Sequence, residues 1–197
     1  MSDHDAVNSK PRSRFCEGVF FLPFRIVLNY FLFCYNGYEK IIVFLIGVDM
    51  RVFIDADGCP VIDIAISIST DLAVECILVC DTSHFFHKDG VKTITVSKGP
   101  DSVDFALVNM LMKGDLVITQ DYGLAAMCLA RKGLPISQNG LVYNDSNIDS
   151  LLEARNMSRK IRNSGGRIKG PGKRSPEQDE AFAFAFRKLL TEQIAST

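Results

Sequence analysis

Three groups of acids stand where short apolar runs of this 197-residue chain come to an end. Arg51-Val-Phe-Ile54 leads into Asp55-Ala-Asp57, and Asp115-Leu-Val-Ile-Thr119 leads through Gln120 into Asp121. Between them, Asp101-Ser-Val-Asp104 opens a helix-like stretch. Strand ends are where open parallel sheets collect their catalytic side chains. Carboxylates crowded into one place repel one another, so a bound divalent cation is the natural way to keep several together. The chemistry this pattern suits is metal-dependent attack on a phosphodiester.

Each acid also has an ordinary role. Asp55 and Asp57 lie two apart, so in extended chain both side chains face the same way and can share one Mg2+ or Mn2+; equally, one caps the next helix and the other is solvated. Asp121 suits the N-cap of a helix beginning near Leu124. Asp104 lies one turn into a helix, where the positive end of the dipole favours any acid, and Asp101 reads as that helix's cap. His84 and His87 follow Asp81-Thr-Ser, three residues apart and with no matched third ligand nearby, which fits surface histidines.

The elements that must carry these acids alternate strand with helix from Met50 onward. Strands are expected at 51–56, 75–80, 91–96, 116–119 and 134–137, the third rich in β-branched residues. Helices are expected from Pro60 to about Thr70, over 101–112, over 124–131 with Gly133 closing it at C′, and over 147–162. Repeated βα units with short connections imply a parallel sheet with helices on both faces. No helix is evident between the second and third strands, which leaves room for local mixing. Ser175-Pro-Glu-Gln178 forms a capping box with Pro at the first helical position. The helix it opens runs over 176–194 and buries Phe182, Phe186 and Leu189.

Charge is unevenly spread. The chain is close to neutral, with 22 Lys and Arg against 23 Asp and Glu, yet residues 155–174 hold eight basic residues and no acid. That asymmetry points to a polyanionic partner. The Gly-rich stretch 163–174 cannot be helical. It is either a solvated loop or a grip on a phosphate backbone through Arg167, Lys169, Lys173 and Arg174, and the absence of aromatics among them argues against base stacking. The six cysteines (16, 34, 59, 76, 80 and 128) show no metal-site or disulfide-rich spacing. They read as buried free thiols in a reducing cytoplasm.

Residues 1–49 differ from the rest. Seven of the fourteen Phe are here, in neither helical nor alternating order. The longest uncharged run, 26–38, is shorter than the roughly 20 residues that span a bilayer. No stable membrane association is therefore expected. The segment reads as a non-native extension from a misassigned start, with Met50 as the true start, because Gly47-Val48 can be spelled as a purine-rich ribosome-binding sequence. A membrane anchor is the competing reading.

Asp55-Ala-Asp-Gly-Cys-Pro-Val61, Ser97-Lys-Gly-Pro-Asp-Ser-Val-Asp104, Thr119-Gln-Asp-Tyr-Gly-Leu-Ala125 and the Gly165-to-Arg174 stretch together resemble the bacterial YaiI/YqxD family, over roughly 50–190. More broadly, the pattern is similar to PIN-like nucleases. The resemblance implies an α/β, three-layer fold whose mostly parallel central sheet is flanked by helices. It also implies cleavage of RNA with Mg2+ or Mn2+ by acids gathered at one sheet edge. Asp55, Asp104 and Asp121 match the acidic, metal-binding positions, with Asp57 an additional candidate, and Thr119 would orient Asp121. Asp104 is shorter than the Glu common at the helical position.

Two other readings stay open. A non-catalytic RNA-binding module would keep the basic surface without the chemistry. A phosphatase of the haloacid dehalogenase type would use Asp55 as nucleophile and Asp57 as acid; it wants a second acidic motif after a later strand, whereas Gly114-Asp115 precedes one.

Overall fold

The computed structural model describes residues 50–83, 88–166 and 172–196. The segment 1–49, both loop histidines (His84 and His87), Arg167 and Lys169 lie outside the described residues.

Five strands make one all-parallel sheet: β1 (Arg51–Asp55), β2 (Glu75–Asp81), β3 (Lys92–Val96), β4 (Leu116–Ile118) and β5 (Leu134–Ile136), in the spatial order β3-β2-β1-β4-β5. The third strand pairs parallel to the second, so the sheet has no mixed segment. Helices α1 (Ile62–Asp71), α2 (Ser102–Met110), α3 (Tyr122–Ala130), α4 (Ile148–Asn163) and α5 (Pro176–Ser196) complete the described elements.

Side-chain alternation on the strands sorts the core into two layers. Val52, Ile54, Leu78, Cys80, Leu116 and Ile118 face α1 and α5, where Phe182, Phe186 and Leu190 are fully buried. Leu190, not Leu189, is the buried member of that stripe; Leu189 is only partly covered. Phe53, Ile77, Val79 and Val117 face the other way, onto Leu107, Val108 and Leu111 of α2 and Leu124 and Cys128 of α3. This is the three-layer α/β arrangement expected, a parallel central sheet between helices. Right-handed crossovers explain it, because the chain runs one way from β1 to β2 and the opposite way from β4 to β5, placing α1 and α3 on opposite faces.

Strand order reverses beside β1. The chain goes outward through β2 and β3, then returns to place β4 on the other side of β1. The crevice beyond the carboxyl ends of β1 and β4 is a topological switch point, where open α/β sheets bind ligands.

Two local features differ from expectation. Helix α3 closes on Lys132 at φ 61, not on Gly133. The Lys132 N–H reaches Leu129 O and the Gly133 N–H reaches Cys128 O, a Schellman closure. Glycine is needed one position later because a Cβ there would sit 2.6 Å from Leu111 Cδ2. One half of the α5 capping box forms, the Ser175 N–H donating to Gln178 Oε1 at 3.0 Å, while the Gln178 N–H goes to the Ser175 carbonyl at 3.1 Å. Among the described residues no helix is long and apolar enough to cross a membrane.

Candidate active site

Strand phase delivers the first acid. Asp55 ends β1 in step with Phe53, so it projects on the α2–α3 side of the sheet. Thr119, just past β4, is in step with Val117 and emerges on the same side, fully buried. Its hydroxyl donates to Asp55 Oδ2 at 2.8 Å and accepts the Asp121 backbone N–H at 3.0 Å. Thr119 thus ties the ends of β1 and β4 together. Tyr143 backs it, its hydroxyl donating to Thr119 O at 3.4 Å.

Asp121 is the N-cap of α3 and accepts from the Gly123 and Leu124 N–H groups at 2.6 and 3.3 Å. Gly123 makes that approach feasible, since a Cβ there would lie 2.9 Å from Asp121 Oδ1. Both oxygens of Asp121 also receive a two-pronged guanidinium: Arg155 Nη1 and Nη2, from α4, at 2.8 and 2.9 Å. Asp121 therefore both caps its helix and faces the site.

Asp104 comes from α2, one turn before Leu107 and Val108 and in line with Leu111 on the stripe that packs on the sheet. Since α2 begins at the carboxyl edge of the sheet, this turn brings Asp104 to the same edge as Asp55 and Asp121. Asp101 occupies the N-cap position in left-handed conformation, φ 54, and makes no side-chain cap bond; its carbonyl starts the helix instead. Asp57 lies in the turn after β1, accepting the Asp81 N–H at 3.3 Å.

The acids act on one another. Burial pushes the Asp55 carboxyl up to about 6, opposed by the Thr119 hydroxyl and reinforced by the charges of Asp104, Asp57 and Asp121. Burial, then Asp121 and Asp101, raise Asp104, with Arg155 pulling against them. Asp121 runs the other way: burial raises it, but the Arg155 fork and the Gly123 and Leu124 amides hold it below the usual carboxylate range. Perturbed acids gathered at a switch point make this edge the candidate functional site.

An all-carboxylate donor set suits a hard divalent cation. Among the described residues, however, no three such groups are gathered into a finished metal cluster. At Asp121, Arg155 stands as a cation on the carboxylate that an ion would use.

Other sequence-derived candidates sort differently. Lys173 is exposed. Arg174 is not a free phosphate grip: it ion-pairs with Asp179 at 2.5 Å and donates to Asn139 Oδ1, Gln138 O and Gln178 O, fastening the end of the basic loop to α5 and to the turn after β5. Asp115 is wholly buried at the amino edge of the sheet, where Arg51 Nη2 meets it at 2.6 Å. Cys59, Cys80 and Cys128 are buried and Cys76 is partly covered, all four outside any disulfide. Burial raises Cys59 and Cys76 to about 11 and Cys128 to about 12.

Residues 53–192 match the family described as "Uncharacterized BCR, YaiI/YqxD family". The chain belongs to this family. A YaiI/YqxD relative from Exiguobacterium sibiricum, called UPF0178 protein, is 53% identical over 144 residues, covering 73% of this chain and 99% of its own. A UPF0178 protein of Ruminiclostridium cellulolyticum is 49% identical over 134 residues, covering 68% of this chain and 87% of its own. Among solved structures, Rae1 (YacP) from Bacillus subtilis aligns with a TM-score of 0.36 at 14% identity, over 75% of this chain and 99% of that one.

Proposed function

We propose that this YaiI/YqxD protein is a PIN-like, metal-dependent ribonuclease acting at the carboxyl edge of its sheet, in the reducing cytoplasm that its buried thiols suit. The observation that carries the reading is the linkage of Asp55 to Asp121 through Thr119, with Asp104 close enough to raise the Asp55 carboxyl. Asp55, Asp104 and Asp121 would hold Mg2+ or Mn2+, with Asp57 beside them. The ion would supply an activated water and charge stabilisation at the scissile phosphate. The chain's own part is positional: Thr119 fixes the spacing of Asp55 and Asp121, and the Gly123 and Leu124 amides fix the Asp121 rotamer. Basic residues of 155–174 would hold the RNA backbone.

The test is cleavage of single-stranded RNA by the purified full chain with Mn2+. Asp55→Asn and Asp104→Asn should each abolish cleavage while leaving RNA binding intact. Absence of metal-dependent cleavage, with salt-dependent binding that survives Asp55→Asn and Asp121→Asn together, would establish the non-catalytic RNA-binding module instead. The Arg155 fork on Asp121 is the observation favouring that second reading. A phosphatase of the haloacid dehalogenase type fits less well, because Asp115 sits at the opposite edge from Asp55, paired to Arg51.

A further inference from the structure

Helix α4 changes character along a single face. Its first turns present Ile148, Leu151 and Leu152, which pack with Ala125, Tyr122 and Leu129 of α3 and with Tyr143. At 3.6 residues per turn the next positions on that face are Arg155, Arg159 and Arg162, grouped within about 60° of one another. After Leu152 the helix is exposed apart from partly covered Ser158. An apolar seam thus turns into an arginine ladder, and the rung where it turns is the one whose guanidinium reaches Asp121.

The ladder is not neutralised from its own helix. Residues 154–174 contain no acid, so Arg155 and Arg159 face each other at i,i+4 and Arg159 and Arg162 at i,i+3. Like charges at these spacings destabilise a helix by a few tenths of a kcal/mol per pair. The macrodipole accounts for Lys160 and Arg162 in the last turn, but not for Arg155 and Arg159. A polyanion lying along the face would relieve the repulsion, and guanidinium forks match phosphate oxygens in geometry. Arg174, at the end of the Gly-rich loop, is fastened to Asp179 and Gln138, as Arg155 is to Asp121, whereas Arg159 and Arg162 are exposed.

We infer that the Arg155–Arg159–Arg162 face of α4 is the track for the phosphodiester backbone of a single strand, leading away from the carboxylate site over about 10 Å of helix. This rests on the RNA-directed reading above and names the surface that serves it. Arg155 is the rung shared by track and site; Arg159 and Arg162 belong to the track alone.

The test measures anisotropy of a fluorescein-labelled single-stranded oligoribonucleotide with the full chain across a salt series. Arg159→Gln with Arg162→Gln should weaken binding about tenfold and lower the slope of log affinity against log salt by about 1.4, two lost contacts at about 0.7 each on a single strand. Lys113→Gln with Lys188→Gln, an equal loss of charge from outside α4, should leave both unchanged. Circular dichroism melting checks that the helix survives in each variant. The track is overturned if the α4 double variant binds like the parent, or if the remote double variant weakens binding equally; either result leaves the ribonuclease reading standing. Failure of the unaltered chain to bind the probe overturns both.

Discussion

Arg155 and Asp121, carried by different helices, meet in a two-pronged ion pair at 2.8 and 2.9 Å on the edge of the carboxylate site. The pair is half exposed, at 48% and 35% of the two side chains, so its own contribution to stability is small. Its consequence is competition: a divalent ion binding Asp121 has to displace the guanidinium. Arg155→Met should therefore lower apo stability by less than about 1 kcal/mol. It should also enlarge the rise in melting temperature produced by Mn2+, because the ion no longer competes with a resident cation. Thermal melts of both proteins with and without Mn2+ check this; an unchanged or smaller Mn2+ response in the variant would show that Arg155 does not compete.

Asp55 makes stability depend on pH with a definite sign. Its folded-state carboxyl titrates near 6, above the ordinary 3.8, so the folded protein holds the proton more tightly than the unfolded chain does. The contribution of Asp55 to stability without metal consequently falls as pH rises from about 4 to about 6, and this group costs nothing further above that. Asp55→Asn can keep the Thr119 hydrogen bond and removes the buried charge. It should be more stable than the parent by about 2–3 kcal/mol at pH 8, with the difference gone below pH 4. Urea titrations at those two pH values measure it; equal gains at both would refute the assigned cause.

Thr119 carries two bonds from a fully buried position, one to each acidic segment. Thr119→Val conserves shape and deletes both. The expected cost is about 1–3 kcal/mol of stability, the penalty for leaving buried polar groups unmatched. RNA cleavage should fall more than RNA binding, since spacing of the acids is lost and the basic surface is not. A variant that cleaves normally would remove Thr119 from the site.

Asp115 provides the contrast. It accepts from the Arg51 backbone and side chain and from the Met112 N–H, all at the amino edge of the sheet. Asp115→Asn should cost about 3–5 kcal/mol, as expected when a buried ion pair loses one partner. It should leave the Mn2+ response of the folded protein intact below its lowered melting temperature.

Much of this was legible in the sequence because apolar periodicity and strand-end acids are local signals. The strands at 51–55 and 116–118, the caps at Asp121 and Ser175, and the inward turn of α2 all follow from spacing within a few residues. What escaped depends on tertiary placement. Arg155 looked like one member of a basic run, and only the packing of Leu151 and Leu152 on α3 shows that its face meets Asp121. Helical phase counted back from Arg155 to Ile148 was the available signal. Arg174 looked like a free cation; Asn139 and Gln138 are distant in the chain, but its ion-pair partner Asp179, five residues on, was a local signal. Gly133 looked like a C′ glycine; its role is to leave space for Leu111, from another helix's end.

The most direct test is anomalous diffraction from a crystal soaked in Mn2+. The expected result is one manganese peak touching the carboxylates of Asp55 and Asp121, with Asp104 in its ligand shell or bound through water, and Arg155 moved off Asp121. Crystals with no peak at that edge and the Arg155 fork still closed on Asp121 would contradict it.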